Sequence, residues 1–166
     1  SVKELHKMCT QARKIMSGKD AVSRIIARPF IGEYPNYTRT ENRKDFSIDP
    51  PKKHLFEIVQ KSKKDTISIG KINDLFNNKN IDYMYPNNGN EGEIESLFDA
   101  QTKDFNGLCW LNFCDFDSKY GHRNDADGYA KSLTVVDKAL DKFIKNMRDD
   151  DLLIITADHG CDPNTP

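Results

Sequence analysis

Two short polar runs hold the residues best suited to chemistry in this sequence. The first is Asp115-Phe116-Asp117-Ser118-Lys119-Tyr120-Gly121-His122, and the second is Ala157-Asp158-His159-Gly160. Each follows an apolar stretch, residues 107–113 and 152–156, that reads as a buried strand. A helical pattern over 125–147 lies between them, with Asp125 placed as its N-cap. Strand, helix, strand with short links is a βαβ crossover and implies a parallel sheet. Ligands gather at the carboxyl ends of such strands, so Asp117, His122, Asp158 and His159 are expected on one rim. Two carboxylates and two imidazoles suit a divalent ion such as Mn²⁺ or Zn²⁺. Two such ions about 4 Å apart can polarise a phosphate and orient an attacking group. An isolated Asp-His pair after a strand also serves as a cap with a hydrogen-bonded imidazole. It is the recurrence of the pair at two equivalent strand ends that favours metal or catalysis. Asp115 would face away from Asp117 if the strand continued, and reads as structural. Lys119 reads as solvated.

A second constellation lies upstream. Arg24, Arg28, Arg39 and Arg43 stand among turn and strand residues around Gly32 and Pro35, and Lys71 follows Gly70. Arg grips phosphate with a planar fork and Lys supplies a point charge. Scattered arginines are also ordinary surface charge, and the alternative stays open for each of them singly.

The elements that must position these groups follow from periodicity. Residues 3–16, 53–63 and 92–103 have apolar positions at helical spacing. Residues 23–30, 44–48 and 66–69 read as strands, 31–43 as loop, and 77–80 and 86–91 as turns. A short helix starts near Asn73-Asp74. Pro50-Pro51 marks a break, giving a first region of residues 1–48 and a second of 49–166. The fold class expected is α/β: a mostly parallel sheet with flanking helices, plus part of a smaller α+β domain.

Composition narrows the function. The formal net charge is −1 and the isoelectric point about 6.4, so there is no basic field for nucleic acid. No apolar run approaches the roughly 18 residues of a membrane span, and the first residues lack a signal-peptide plan. Cys9, Cys109, Cys114 and Cys161 form no zinc-like C-x2-C pair. Reduced thiols and a cytoplasmic location are expected.

Longer runs carry a resemblance. Residues 26–33 (IARPFIGE), 38–45 (TRTENRKD), 69–74 (IGKIND), 115–123 and 153–160 (LIITADHG) resemble, in order, the bacterial phosphopentomutases of the alkaline-phosphatase superfamily. The resemblance covers nearly the whole chain. It implies an alkaline-phosphatase-like partial core (residues 49–166) and the end of a cap domain (1–48). The implied activity is interconversion of ribose 1-phosphate and ribose 5-phosphate, or the deoxyribose equivalents, in nucleoside salvage. The implied cofactor is two Mn²⁺ ions, with Mg²⁺ or another divalent metal as the alternative. Asp117, His122, Asp158 and His159 match the family's metal ligands. Arg24, Ile26, Arg39, Arg43 and Lys71 match or adjoin the region that holds the phosphosugar. The family's Thr nucleophile and one Asp ligand lie upstream of the matched stretch, and a further His ligand lies downstream. The expectation is therefore a fragment with no catalytic residue of its own and no mutase activity alone. Departures are Cys161 for Asn, Lys119 in a usually apolar place, and residues 87–93 in place of a Ser-Asn-x-Asp-Gly-like run. The partner expected is the phosphopentose substrate, with no nucleic acid or membrane. Competing readings are a phosphoglycerate mutase or phosphatase relative, or an inactive phosphosugar-binding module.

Overall fold

The structure, a computed structural model, describes residues 1–165; Pro166, the last residue of the expected second region, lies outside it. The chain divides into two compact units. One comprises Ser1–Pro51 with Asp74–Asn78, and the other Lys52–Asn73 with the chain from Lys79 onward.

In the first unit, helix α1 (Val2–Ile15) packs on a two-stranded antiparallel pair of β1 (Arg24–Ala27) and β4 (Lys44–Ser47). Cys9 and Ala27 are its buried apolar residues. Strands β2 (Phe30–Glu33) and β3 (Asn36–Arg39) form a separate antiparallel hairpin. The sequence pattern treats residues 31–43 as loop and 23–30 as one strand. The structure instead breaks the strand at Arg28-Pro29 and folds the following stretch into a hairpin. Proline cannot donate to a ladder, so a strand ends there. At Gly32, within β2, φ is +101° and an added Cβ would run into the Asn36 carbonyl oxygen, so this position needs glycine.

The second unit is built on a parallel sheet of β5 (Asp65–Gly70), β6 (Tyr83–Tyr85) and β7 (Gly107–Asn112), in the order β6-β5-β7. Central β5 alternates as a strand must. Ile67 and Ile69 face one side, packing with Ala100, Leu97, Phe105 and Leu111. Thr66 and Ser68 are equally buried and are satisfied by Asp82 and Asn73. Helices α2 (Leu55–Lys61), α4 (Gly89–Gln101) and α5 (Ala126–Lys145) follow the expected α/β plan, and the short helix α3 (Ile72–Leu75) begins in this unit at Ile72 and Asn73. Helix α4 is the crossover from β6 to β7. Asp125 caps α5, its side chain accepting from the Gly128 N–H.

Two expectations fail here. Strand β7 is not buried on both faces: Gly107 and Trp110 are exposed and the rest half-buried. Residues 152–156 form no strand, and Leu152, Ile154 and Ile155 are exposed. The physical reason is shared. A strand exists only as part of a ladder, and among the described residues β7 pairs with β5 alone. The parallel sheet is therefore built by the connections β5–α3–β6 and β6–α4–β7, not by the crossover expected through α5.

Candidate functional site

Because the three strands are parallel, their carboxyl ends share one edge. Strand β5 ends at Gly70, beside Lys71, and β7 ends at Asn112, ahead of Cys114, Asp115 and Asp117. Beyond β7 the chain makes a π-helical turn (Phe116–Tyr120) and a 3-10 turn (Gly121–Arg123). Asn124 follows at φ +54°, a left-handed position that Asn tolerates. These turns bring His122 back over Asp117, with Nε2 3.1 Å from Oδ1. The irregular segment after residue 152 brings His159 Nε2 to 3.7 Å from the same oxygen. Asp158 lies 3.9 Å from His159 Nε2, with its side chain largely in solvent.

Asp117 Oδ1 is buried and has no hydrogen-bond partner of proper geometry. His159 Nδ1 lies 2.9 Å from the Gly160 carbonyl oxygen. An N–H donated there leaves Nε2 as a lone pair aimed toward Asp117, the usual way a backbone carbonyl orients a ligating imidazole. The Gly160 carbonyl, and after it Asp158 and Asp117, raise the pKa of His159. A carboxylate oxygen facing an imidazole lone pair is a donor combination that suits a divalent cation. Ligand atoms about 2.1 Å from a tetrahedral ion sit about 3.4 Å apart, and the two distances on Asp117 bracket that spacing. The arrangement is pairwise rather than a finished cage: among the described residues no group of three or more His, Cys, Asp or Glu is set to hold an ion.

Asp115 has a different task. Its Oδ2 accepts from the Asn90 N–H at 3.1 Å, and its own N–H donates to Asn90 Oδ1 at 3.1 Å. Asn90 Nδ2 donates to Ser132 Oγ at 2.9 Å. These bonds tie the chain entering the Asp117 turn to the starts of α4 and α5. Lys119 is exposed and 3.5 Å from Asp115.

In the first unit two of the expected anion-binding residues, Arg43 and Arg24, share a carboxylate partner. Arg43 makes a fork on Asp45, Nε to Oδ1 and Nη2 to Oδ2 both at 2.8 Å. Arg24 reaches the same carboxylate at 3.5 Å. The hydrogen bonds from Arg43 hold the Asp45 carboxyl below the usual range against the effect of burial, and raise the Arg43 pKa in return. Ile26 is half-buried on β1 opposite Asp45. Arg39 closes β3 and, with Arg28, Phe30 and Tyr37, lines a shallow cavity of about 260 Å³.

One residue escaped the sequence reading. Glu93 is fully buried. A charged residue in a helix reads as surface. The available signal was its place in the stripe Glu93, Leu97, Ala100, spaced i, i+4, i+7 like a core-facing row.

Comparison with known proteins defines the class. The family profile described as Metalloenzyme superfamily matches residues 7–165, and the chain belongs to that superfamily. Among curated proteins it is 47% identical to the phosphopentomutase of Lachnoclostridium phytofermentans over 166 residues, which is 99% of this chain and 42% of the relative. It is 45% identical to that of Clostridium kluyveri over 164 residues, again 99% and 42%. It is 43% identical to that of Clostridium acetobutylicum over 162 residues, 98% and 42%. The chain thus spans under half the length of the relatives it matches.

Proposed function

We propose that this chain is part of a phosphopentomutase, which interconverts (deoxy)ribose 1-phosphate and (deoxy)ribose 5-phosphate in cytoplasmic nucleoside salvage. The observation that carries this reading is identity of 43–47% to proteins of that name over 98–99% of the chain. In this reading Asp117, His122 and His159, with Asp158 beside them, hold divalent metal, Mn²⁺ being the ion proposed. When bound, such ions polarise phosphoryl oxygens and neutralise developing charge. The chain's own residues contribute orientation. Asp115, locked to Asn90, fixes the turn that carries Asp117. The Gly160 carbonyl orients His159. Lys71, at the end of β5, supplies a positive charge to the substrate phosphate, and Arg24, Ile26, Arg39 and Arg43 are proposed as further phosphosugar contacts. The phosphorylated Thr of the proposed mechanism lies outside this chain, so the chain alone binds metal without turnover.

The test is conversion of ribose 1-phosphate to ribose 5-phosphate with Mn²⁺, run on the full-length protein and on the 166-residue chain. Turnover by the former alone supports both parts of the proposal. Hydrolysis of phosphate esters without isomerisation by the full-length protein would overturn the mutase in favour of a phosphatase.

A further inference from the structure

Glu93 stands in the first turns of α4, and its side chain is fully buried. Neither carboxylate oxygen has a hydrogen-bond partner among the described residues. Its place is where β5 and β7 separate beyond their last ladder pair, Gly70 with Asn112. An added Cβ at Gly70 would lie 2.7 Å from Glu93 Oε1 and 2.7 Å from the Asn112 carbonyl oxygen. The carboxyl therefore packs directly on the residue that turns the chain into Lys71, at φ +77°. On the β7 side it meets the Cys114–Asp115 backbone, close enough for the Cys114 N–H and the Asp115 charge to act on it.

We propose that Glu93 is a positioning residue of the phosphosugar site, a wedge between the ends of β5 and β7 that sets the backbone from which Lys71 projects. This rests on the reading of Lys71 as a phosphosugar contact.

The charge state follows from the surroundings. A buried carboxylate with no well-formed hydrogen bond and a like charge nearby is costly. Burial raises its pKa to about 7, with Asp115 adding to the rise and the Cys114 N–H opposing it. Glu93 is thus the neutral acid below neutrality. Ionised, it must draw in water or move away from Asp115, and either disturbs the Gly70–Lys71 turn. The charged groups around the cleft are Asp115 and Lys71, both of which act on Cys114; the Cys114 thiol itself is pushed up to about 11 by burial and stays neutral between pH 5 and 9.

The experiment is a carbon and nitrogen NMR titration of the protein from pH 5 to 9, beside Glu93→Gln, which keeps the shape and the neutral state. The Glu93 carboxyl should titrate near pH 7 and the Lys71 amide should follow with the same midpoint, a response that Glu93→Gln removes. A Lys71 amide that ignores the carboxyl, or that titrates unchanged in Glu93→Gln, overturns the wedge. Calorimetric binding of ribose 5-phosphate supplies the functional arm. The second ionisation of a phosphate ester falls near ~6 but is common to both proteins. Affinity should be equal at pH 6, and the wild type should be about tenfold weaker than Glu93→Gln at pH 8. Equal affinities at pH 8 overturn the proposal. If neither protein binds the sugar phosphate at any pH, the phosphosugar reading of Lys71 fails, while the amide titration still decides whether Glu93 sets the turn.

Discussion

Replacing Glu93 by Gln should change how the stability of the fold depends on pH, and the size of the change can be worked out. The unfolded chain carries Glu93 at its ordinary 4.5, and the folded chain at about 7. Below pH 4.5 both states are protonated and the group makes no pH-dependent difference. Between 4.5 and 7 the unfolded state releases the proton and the folded state keeps it. The folded state then binds more protons, so stability falls as pH rises. Above 7 both are ionised and the loss is complete. At ~1.4 kcal/mol per pH unit, that gap amounts to about 3 kcal/mol, a large part of a typical domain's stability. Urea denaturation of wild type and Glu93→Gln at half-unit steps from pH 4.5 to 8 measures it. Carboxylates held low by partners, Asp45 and Asp82 among them, contribute equally to both proteins and cancel in the difference. The variant should gain about 3 kcal/mol on the wild type across that range. Parallel curves would mean that Glu93 is hydrated or paired, and would refute the reasoning.

Other outcomes follow from the same geometry. Asp117→Asn should weaken Mn²⁺ binding by on the order of 100-fold, read by calorimetry, and wild-type affinity should rise from pH 6 to 8 as His159, whose pKa the Gly160 carbonyl and Asp158 raise, loses its Nε2 proton. Gly70→Ala combines a left-handed backbone, costing ~1–2 kcal/mol, with a Cβ 2.7 Å from the Asn112 carbonyl, adding ~1–3 kcal/mol of overpacking. A total loss of roughly 2–5 kcal/mol is expected in thermal or urea unfolding; no loss would mean that the ends of β5 and β7 adjust freely.

Much of the fold was legible because burial follows period. The alternation in Thr66–Ile69 and the helical rows of α2, α4 and α5 are visible in the sequence, and with them the α/β class. What was not legible depends on partners. The run at 152–156 has the composition of a buried strand, but composition cannot supply a neighbour, and these residues lie exposed. The hairpin of β2 and β3 hid behind Gly and Pro, which mark tight turns as well as loops. At the site, the polar runs pointed to Asp117, His122, Asp158 and His159; the turns after β7 bring His122 to Asp117, and the irregular segment after residue 152 brings His159 beside them. The pairing of Arg24 with Asp45 could not be read, because it depends on the β1–β4 register. Glu93 was missed for the opposite reason: its residue type argued for the surface more strongly than its spacing argued for the core.

The fork of Arg43 on Asp45 gives the first unit a built-in rival for any anion. A tethered carboxylate competes at an effective concentration in the millimolar range or above, whatever the composition of the solvent. A chloride or a lone carboxylate offers Arg43 no better partner than the one it holds. A phosphate dianion offers more charge and more acceptor oxygens, so it can win the exchange. The ion pair thus sets a threshold: an anion reaches Arg43 only by displacing Asp45.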